Sequence, residues 1–284
     1  MTITPYPTML RVGSQTVDLT TPVVMTIINV TPDSFYAGSR TASASAIAER
    51  VRQAAAEGAV LLDVGGYSSR PGADDVPPEE ETRRLALALE VIRRETPQHP
   101  VSLDTFRSAV AERIIRDYGP CIINDITGGE ADPKMFETTA RLGVPYIVMH
   151  MRGTPDNMQQ LTHYRDITAE IYAYLEKRIA LLHRAGVKQV ILDPGFGFAK
   201  TLDQNYELLA HLHTLTDLGC PILAGISRKS MIYKALDTDP ADALTGTIAL
   251  HWECLRQGAS ILRVHDTREA SQVIRLWEKL RKNS

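Results

Sequence analysis

Eight short apolar runs, each ending on a polar residue, limit the possible folds of this sequence more than any other feature. In Val190–Asp193, for example, the run ends on a carboxylate, and Pro194 and Gly195 follow at once. Runs that are apolar at consecutive positions are typical of strands buried on both faces. The polar residues at the run ends are Asn29, Asp63, Asp104, Asn124, His150, Asp193, Ser227 and His265.

Helical patterns separate these runs and predict an alternation of strands and helices along the chain. The predicted strands cover residues 23–29, 60–65, 101–104, 121–124, 146–150, 190–193, 222–227 and 261–265. The predicted helices cover 43–57, 79–95, 108–118, 134–142, 166–185, 204–218, 241–257 and a final segment after 265. Such alternation indicates a parallel α/β sheet, either open and doubly wound or closed into a barrel. Eight units in about 250 residues favour closure, so we predict one (β/α)8 TIM barrel and a single domain, residues 1–284.

A short hairpin precedes the barrel units. Residues 9–19 read as two alternating strands around Gly13 and Ser14. We expect this hairpin to close the end of the barrel opposite the active site.

Composition and charge restrict the classes of partner. The chain is 44% hydrophobic and 23% charged, as in an ordinary soluble globular protein. Its formal net charge of −3 provides no global attraction to nucleic acid or an anionic membrane, so a small-molecule partner held by local charges is expected.

The three cysteines, Cys121, Cys220 and Cys254, lie far apart in apolar surroundings and are predicted to be reduced core thiols. No secretion signal or membrane span is apparent, which predicts a cytoplasmic protein.

In a parallel barrel the polar strand ends meet at the carboxyl-terminal mouth, where barrel enzymes carry their active sites. Asp104, Asn124 and Asp193 would together offer hydrogen-bond acceptors and one amide. This set suits a flat heterocycle with adjacent N–H donors, such as a 2-amino-4-oxo pyrimidine edge. The alternative is that each residue only caps the turn or helix that follows its strand.

A second, basic group ends the last two strands. Ser227–Lys229 and Arg263–His265 lie where barrels frequently bind phosphate, and two cations with a histidine could hold a diphosphate. The alternative is that Arg228, Lys229 and Arg263 pair with acids of neighbouring loops.

Other motifs carry less weight. Gly195-Phe196-Gly197 lacks the third glycine of a dinucleotide fingerprint and belongs to the sixth strand. His211 and His213 lie two apart on a predicted helix and so face different ways, which argues against a shared metal. We assign no function to Asp63.

Taken together, the motifs resemble those of the pterin-binding enzymes, and within them dihydropteroate synthase. The resemblance runs from Asn29 to His265. It rests on Asn29-Val30-Thr31-Pro32-Asp33-Ser34-Phe35, Ser69-Arg70-Pro71-Gly72-Ala73, Asp104-Thr105, Asn124-Asp125-Ile126, Met149-His150-Met151, Asp193-Pro194-Gly195 through Lys200, Ser227-Arg228-Lys229 and Arg263-Val264-His265. Eight motifs in order, each following a strand, make the likeness specific.

The resemblance implies condensation of 6-hydroxymethyl-7,8-dihydropterin diphosphate with p-aminobenzoate, which gives 7,8-dihydropteroate and diphosphate. It also implies a homodimer formed through late helices, and membership of a class of enzymes that sulfonamides target because they imitate p-aminobenzoate. The residues that would bind the pterin are Asp104, Asn124, Met149, Asp193, Phe198, Lys229 and Arg263. Ser69, Arg70 and Ser227 would form the p-aminobenzoate site, and Asn29, Arg263 and His265 would meet the diphosphate, with Asn29 as a Mg²⁺ ligand.

The catalytic residues implied are Asp104, Asp193, Lys229, Arg263 and His265. An arylamine is already nucleophilic at neutral pH, so the demanding step is departure of the charged diphosphate. Preorganised charges and Mg²⁺ would stabilise that departure, and we expect a dissociative displacement.

Three positions depart from the family pattern. Ala37 stands where many members carry an acid that helps to organise the first loop, Tyr67 replaces a common Glu, and Ser69 replaces Thr while keeping a hydroxyl. Two alternative functions remain open for a barrel of this kind. A barrel that transfers methyl groups from methyltetrahydrofolate to a corrinoid protein would not need the two basic strand ends. A catalytically silent paralogue would bind the pterin without releasing diphosphate.

Overall fold

The computed structural model describes residues 8–30, 40–67 and 75–283, and it begins with a hairpin. Strands β1 Met9–Val12 and β2 Gln15–Asp18 pair antiparallel, with Met9 opposite Asp18. Gly13 makes the turn with a φ of 63°, a conformation that favours glycine. The predicted hairpin is therefore present.

Eight parallel strands form the central sheet. They are β3 Val23–Asn29, β4 Leu61–Gly65, β5 Val101–Asp104, β6 Ile122–Asp125, β7 Tyr146–Met149, β8 Val190–Asp193, β9 Leu223–Ala224 and β10 Ile261–Val264. Their spatial order is β8-β7-β6-β5-β4-β3-β10-β9. A parallel bridge between Leu192 and Ile222 joins β8 to the residue before β9 and brings the two edges together. The predicted (β/α)8 barrel is confirmed.

Helices follow the strands on the outside of the barrel. They are α1 Arg40–Glu57, α2 Pro78–Glu95, α3 Ser108–Tyr118, α4 Met135–Leu142, α5 Ile167–Ala185, α6 Leu202–Ala210, α7 Ser230–Tyr233, α8 Leu244–Arg256 and α9 Thr267–Arg281. Local sequence explains several ends. The Asp166 side chain accepts a hydrogen bond from Ala169 N and caps α5, which ends at left-handed Gly186. Thr201 and Gln204 form a capping box at α6.

Three predicted boundaries in the last third of the chain were wrong. The helix predicted over 204–218 is interrupted at His211, and Leu212–Leu218 forms a 3-10 helix whose buried Leu212 and Leu215 lie three residues apart, the period of that helix. The strand predicted over 222–227 contains only Leu223–Ala224, because the chain turns from Ile226 to Lys229. The helix predicted over 241–257 begins at Leu244, after a short helix, α7, that was not predicted.

Apolar side chains occupy two main layers. The larger layer lies between the strands and the surrounding helices and includes Val64, Leu89, Ile114 and Leu175. The smaller layer fills the amino-terminal end of the barrel, where the hairpin packs. Its members are Leu10, Val12, Val17, Leu19, Val23, Met25, Leu61, Ile122, Ile147, Ile191, Leu223 and Ile261. The hairpin therefore closes this end, as predicted, and leaves the opposite mouth for chemistry.

Candidate active site

Strand alternation places a polar layer directly above the apolar layer of the barrel. Residues two apart on a strand face the same side, so Asp63 follows Leu61 inward, Asn124 follows Ile122, and Arg263 follows Ile261. The resulting layer at the carboxyl-terminal mouth consists of Asp63, Asp104, Asn124, Met149, Asp193 and Arg263.

Four of these side chains form one hydrogen-bonded cluster. Arg263 Nε donates to Asp63 Oδ2 at 2.7 Å, and Arg263 Nη2 donates to Asp104 Oδ2 at 2.7 Å. Asn124 Nδ2 donates to both oxygens of Asp63, at 3.2 and 3.3 Å. Asp63 is fully buried, whereas the Asp104 side chain remains 22% exposed at the mouth. The cluster thus has a buried side, Asp63, and a side open to a ligand, Asp104.

The contact with Asp63 determines which way the Asn124 amide points. An ionised carboxylate only accepts hydrogen bonds, so the amide must direct its NH₂ group toward Asp63. Its carbonyl oxygen then remains available as an acceptor. With Asp104 and Asp193, the mouth presents three groups that accept hydrogen bonds from a ligand.

Burial and neighbouring charges shift several ionisation equilibria at the mouth. Burial raises the pKa of Asp104 to about 7, although the Arg263 guanidinium opposes the shift. Burial also raises the pKa of Asp193, which nearby Lys229 opposes. Burial lowers the pKa of Lys229 to about 8. Burial disfavours the charge of Arg263 as well, but Asp63 and Asp104 outweigh it and raise the pKa of the guanidinium.

The loop after β8 brings Asp193, Phe198 and Lys229 together. Gly195 N donates to Asp193 Oδ1 at 2.7 Å and orients the carboxylate. Lys229 Nζ donates to Phe196 O at 2.5 Å and lies 4.7 Å from the centre of the Phe198 ring. Phe198 packs with Met149 in a third apolar cluster. The mouth therefore combines an acceptor edge with apolar walls and an ammonium group.

The ends of β9 and β10 carry the second predicted group. Ser227 Oγ accepts from the backbone N–H of His265 and lies 3.1 Å from His265 Nδ1. Burial lowers the pKa of His265 to about 4, and the neighbouring Arg263 charge acts in the same direction, so this imidazole is neutral. It can donate one hydrogen bond but adds no charge.

Arg228 is engaged elsewhere. Its Nε and Nη2 atoms donate to the two oxygens of Asp266 at 2.8 and 2.9 Å, and its Nη1 donates to the carbonyls of Pro240 and Ala241. For Arg228, the alternative reading of the basic motif is therefore correct: it pairs with an acid of a neighbouring loop. Arg263 also pairs with acids, but these belong to the mouth itself.

The structure brings together most of the predicted binding residues but places His150, one of the eight polar strand ends, elsewhere. Asp104, Asn124, Met149, Asp193, Phe198, Lys229 and Arg263 surround the mouth, next to Ser227 and His265. His150, expected to share the pocket, instead packs against Tyr174 with ring centres 4.9 Å apart. It has the opposite strand parity to Met149 and so faces the helices. Ser69 and Arg70, together with Asp33 and Ala37, lie outside the described residues.

Sequence reasoning missed two polar residues of the site. Asp63 was given no function, although its position two residues after Leu61 placed it in the barrel interior. Lys200 was quoted only as the end of a motif, yet its ammonium group is buried beneath the loop that carries Asp193. Strand parity could have identified Asp63, whereas nothing local indicated that Lys200 is buried.

Metal binding at this mouth can rely on few protein ligands. No group of three or more His, Cys, Asp or Glu side chains in the described parts of the chain could hold a metal ion. Asn29, at the exposed end of β3, offers one amide oxygen. Mg²⁺ commonly takes one or two protein oxygens and completes its shell with phosphate and water, so Asn29 fits such a site if the substrate is a phosphate ester.

Comparisons with known proteins agree with this geometry. Residues 25–265 match the family described as pterin binding enzyme. The chain is 40% identical to the dihydropteroate synthase of Escherichia coli over 92% of both chains. It is 42% identical to the folic acid synthesis protein fol1 of Schizosaccharomyces pombe over 91% of this chain, but spans only 36% of that longer protein.

Solved structures show the same likeness. A Xanthomonas albilineans dihydropteroate synthase with 4-aminobenzoic acid superposes with a TM-score of 0.89 at 38% identity, covering 98% of this chain and 99% of the other. A second structure of that enzyme, with 7,8-dihydropteroate, has a TM-score of 0.86 at 35% identity over 96% and 98% of the chains.

In the described part of this chain, no helix combines the length and apolar character that crossing a bilayer requires.

Proposed function

This chain belongs to the family of pterin-binding enzymes, and from that membership we propose that it is a dihydropteroate synthase. The reaction joins the amine of p-aminobenzoate to the methylene carbon of 6-hydroxymethyl-7,8-dihydropterin diphosphate and releases diphosphate. The observation that carries the proposal is the polar cluster of Asp63, Asp104, Asn124 and Arg263 at the barrel mouth. Relatives that act as dihydropteroate synthases support it.

The acceptor edge binds the pterin. Asp104, Asn124 and Asp193 accept hydrogen bonds from its ring N–H and amino groups, while Met149 and Phe198 cover the apolar faces of the ring. Asp104 already bonds to Arg263, so the ligand competes for a carboxylate that is partly exposed. Asp63 keeps the Nε atom of Arg263 in place while this exchange occurs.

Charge at the mouth assists departure of the leaving group. As the bond between the methylene carbon and the diphosphate oxygen breaks, positive charge grows on the pterin, and the carboxylates of Asp104 and Asp193 stabilise it. The guanidinium of Arg263, which stays paired with Asp63, and the ammonium of Lys229 stabilise the diphosphate. His265 contributes as a neutral hydrogen-bond donor, because its pKa is held near 4 by burial. The amine then forms the new C–N bond and loses its proton to water or to the departing diphosphate.

Mg²⁺ at Asn29 would neutralise part of the diphosphate charge when it is bound. The amide of Asn29, at the exposed end of β3, would hold this ion. We expect Asn29→Ala to raise the Mg²⁺ concentration needed for half-maximal binding of the pterin diphosphate. An unchanged Mg²⁺ requirement would remove Asn29 from the proposed metal site.

The p-aminobenzoate site is proposed to include Ser69, Arg70 and Ser227. Ser227 is buried, and its hydroxyl lies 3.1 Å from Nδ1 of His265, which we assign to the diphosphate site. Support for this part comes from the family resemblance and from the p-aminobenzoate bound to a related enzyme.

The decisive experiment measures diphosphate release by the purified protein given Mg²⁺, the dihydropterin diphosphate and p-aminobenzoate. We expect release that depends on the amine and that Asp193→Ala and Arg263→Ala abolish. The control Arg184→Ala, at an exposed position in the last turn of α5, should leave release unchanged. Release that needs no amine would contradict the proposal. Pterin binding without release would identify the silent paralogue instead.

The displacement is proposed to be dissociative. Bond breaking ahead of bond formation gives the methylene carbon a planar, cation-like character in the transition state. Deuterium at that carbon should therefore slow the reaction measurably. A rate with no secondary isotope effect would argue for a concerted displacement.

We also propose that the protein is a cytoplasmic homodimer formed through its late helices. On α9, Leu276 and Leu280 are 66% and 57% exposed and lie on one face, four residues apart. The three cysteines are free and buried, in keeping with a reducing compartment. Light scattering should give twice the chain mass, and the mass of one chain for Leu276→Glu with Leu280→Glu. A monomeric wild-type protein would refute the dimer, and cell fractionation tests the location.

A further inference from the structure

Lys200 holds a buried ammonium group that the proposed reaction does not use. The residue is only 3% exposed. Its Nζ donates to Gly195 O at 2.7 Å and to Phe198 O at 2.9 Å, and lies 3.2 Å from His150 Nδ1. Three partners match the three hydrogens of the protonated side chain, although burial lowers the pKa of Lys200 well below its ordinary value and the Asp193 charge opposes this shift. Buried lysines are rare unless they are paired, so this arrangement calls for an explanation.

His150 completes the arrangement as an acceptor. Burial lowers the pKa of this imidazole to about 2, and the Lys200 charge acts in the same direction, so the ring is neutral. Protonated Lys200 only donates hydrogen bonds, so Nδ1 is the unprotonated nitrogen of the ring whenever Lys200 carries its charge. The backbone N–H of His150 also donates to Asp193 O at 3.0 Å, which ties the end of β7 to the end of β8.

The turn that Lys200 binds carries Phe198 and contacts two other residues of the proposed pterin site. Gly195 N orients the Asp193 carboxylate, and Phe196 O accepts from Lys229. Phe198 N donates to Gly195 O, so Lys200 bonds the carbonyls at both ends of this turn. A shift of the turn would therefore move three things together: the Asp193 carboxylate, the Phe198 ring and the carbonyl that binds Lys229.

We propose that Lys200 is a positioning residue for the pterin, acting by holding the Gly195–Phe198 turn at the spacing that Asp193, Phe198 and Lys229 require. This inference rests on the proposed function of the mouth. Lys200 does not touch the substrate. Its hydrogen-bond partners are two backbone carbonyls and a neutral ring, so its bonds set the position of the loop. Its charge also acts on the nearby Asp193 carboxylate, where burial raises the pKa and the Lys200 charge lowers it.

Two substitutions separate this role from a purely structural one. Lys200→Met has a similar length and removes all three donors, while Lys200→Gln keeps an NH₂ group without the charge. Replacing a buried charged group by an apolar one is often tolerated by the fold. The exposed Lys188→Met is the matched control for loss of a lysine. Calorimetry measures dihydropterin binding by each purified protein, and kinetics give KM for p-aminobenzoate at saturating pterin.

We expect Lys200→Met to weaken pterin binding roughly ten- to a hundred-fold, the loss typical of hydrogen bonds to a charged group. Its KM for p-aminobenzoate should stay within about two-fold, and Lys200→Gln should bind the pterin more tightly than Lys200→Met. Equal pterin binding by Lys200→Met and Lys188→Met would overturn the inference. Unfolding of both Lys200 variants, or parallel loss of both substrates, would assign Lys200 to stability and overturn it as well.

The same measurements distinguish this inference from the proposed function. A wild-type protein that bound no pterin would refute the proposed function and this inference with it. Pterin binding by the wild-type protein and by Lys200→Met alike would refute this inference alone.

Discussion

Asp63 organises the polar cluster although it reaches no solvent. It receives two donors from Arg263 and Asn124, and these two residues face the site that we assign to the pterin. A buried carboxylate in this position fixes the rotation of an amide and of a guanidinium at once. Its effect on binding should therefore be larger than its distance from the ligand suggests.

We predict that Asp63→Asn weakens pterin binding roughly ten- to a hundred-fold, because the charge opposite Arg263 is lost and the Asn124 amide is free to turn over. Titration calorimetry measures the change, with circular dichroism to confirm the fold. Asp217→Asn, at an exposed position, serves as the control. Pterin affinity unchanged from wild type would show that Asp63 does not orient these groups.

Pterin binding should depend on pH through Asp104 and Lys229. Burial raises the pKa of Asp104 to about 7, so below that pH the carboxyl is protonated and accepts less well. Burial lowers the pKa of Lys229 to about 8, so its charge is lost above that pH. Affinity should rise as pH increases toward 7 and fall above 8. Asp104→Asn should remove the acidic limb; an acidic limb that persists in this variant would assign it to another group.

At the scale of elements, the loop between β8 and α6 depends on close backbone contact. A Cβ atom built on Gly195 would lie 2.0 Å from His150 O, and the glycine has a φ of 70°. Gly219 has a nearly identical φ of 68° but no atom within 4 Å of such a Cβ. The two glycines therefore separate backbone strain from steric conflict.

We predict that Gly219→Ala costs about 1 kcal/mol of unfolding free energy, from the left-handed backbone alone. Gly195→Ala should cost more and should also abolish pterin binding, because the loop must move away from His150. Urea unfolding and calorimetry measure the two effects. If Gly195→Ala lost no more unfolding free energy than Gly219→Ala and still bound the pterin, the loop would accommodate the added methyl group.

The amino-terminal hairpin should affect stability without affecting catalysis. Leu10 is buried in the apolar layer at the end of the barrel that faces away from the mouth, while neighbouring Met9 is 46% exposed. We predict that Leu10→Ala lowers the free energy of unfolding by about 2–5 kcal/mol and leaves kcat and KM unchanged. Met9→Ala is the matched control and should change neither the free energy of unfolding nor the kinetic constants. An altered KM in Leu10→Ala would show coupling between the two ends of the barrel.

For the whole molecule, we predict a single cooperative unfolding transition, in line with one domain over residues 1–284. The larger apolar cluster extends from Val24 on β3 to Ile274 on α9, so strands and helices share one core. Fluorescence of Trp252 and Trp277 reports on α8 and α9, whereas circular dichroism reports on every element. The two thermal transitions should coincide, and a bound pterin should raise both midpoints. Two separate midpoints would indicate that the chain unfolds in parts.

The barrel and most of the mouth could be predicted from the sequence because their signals are local. A buried parallel strand needs an apolar run, and a helix outside a barrel needs one apolar face. Polar residues at the ends of such runs therefore identified Asp104, Asn124 and Asp193 before any contact was known. The strand at β9 was predicted too long and the break at His211 was missed, because turns and packing against neighbours override local propensity there.

Pairing among the side chains was decided only by the tertiary structure. The sequence determined that acids and cations lie at the same end of a barrel. It contained no information on which acid bonds to which cation, since the partners Asp63 and Arg263 lie on strands far apart in the chain. Closure of the sheet sets those distances. As a result, Asp63 accepts hydrogen bonds from Arg263 and Asn124, and Asp266 accepts them from Arg228. Lys200 is buried beneath the loop that carries Asp193.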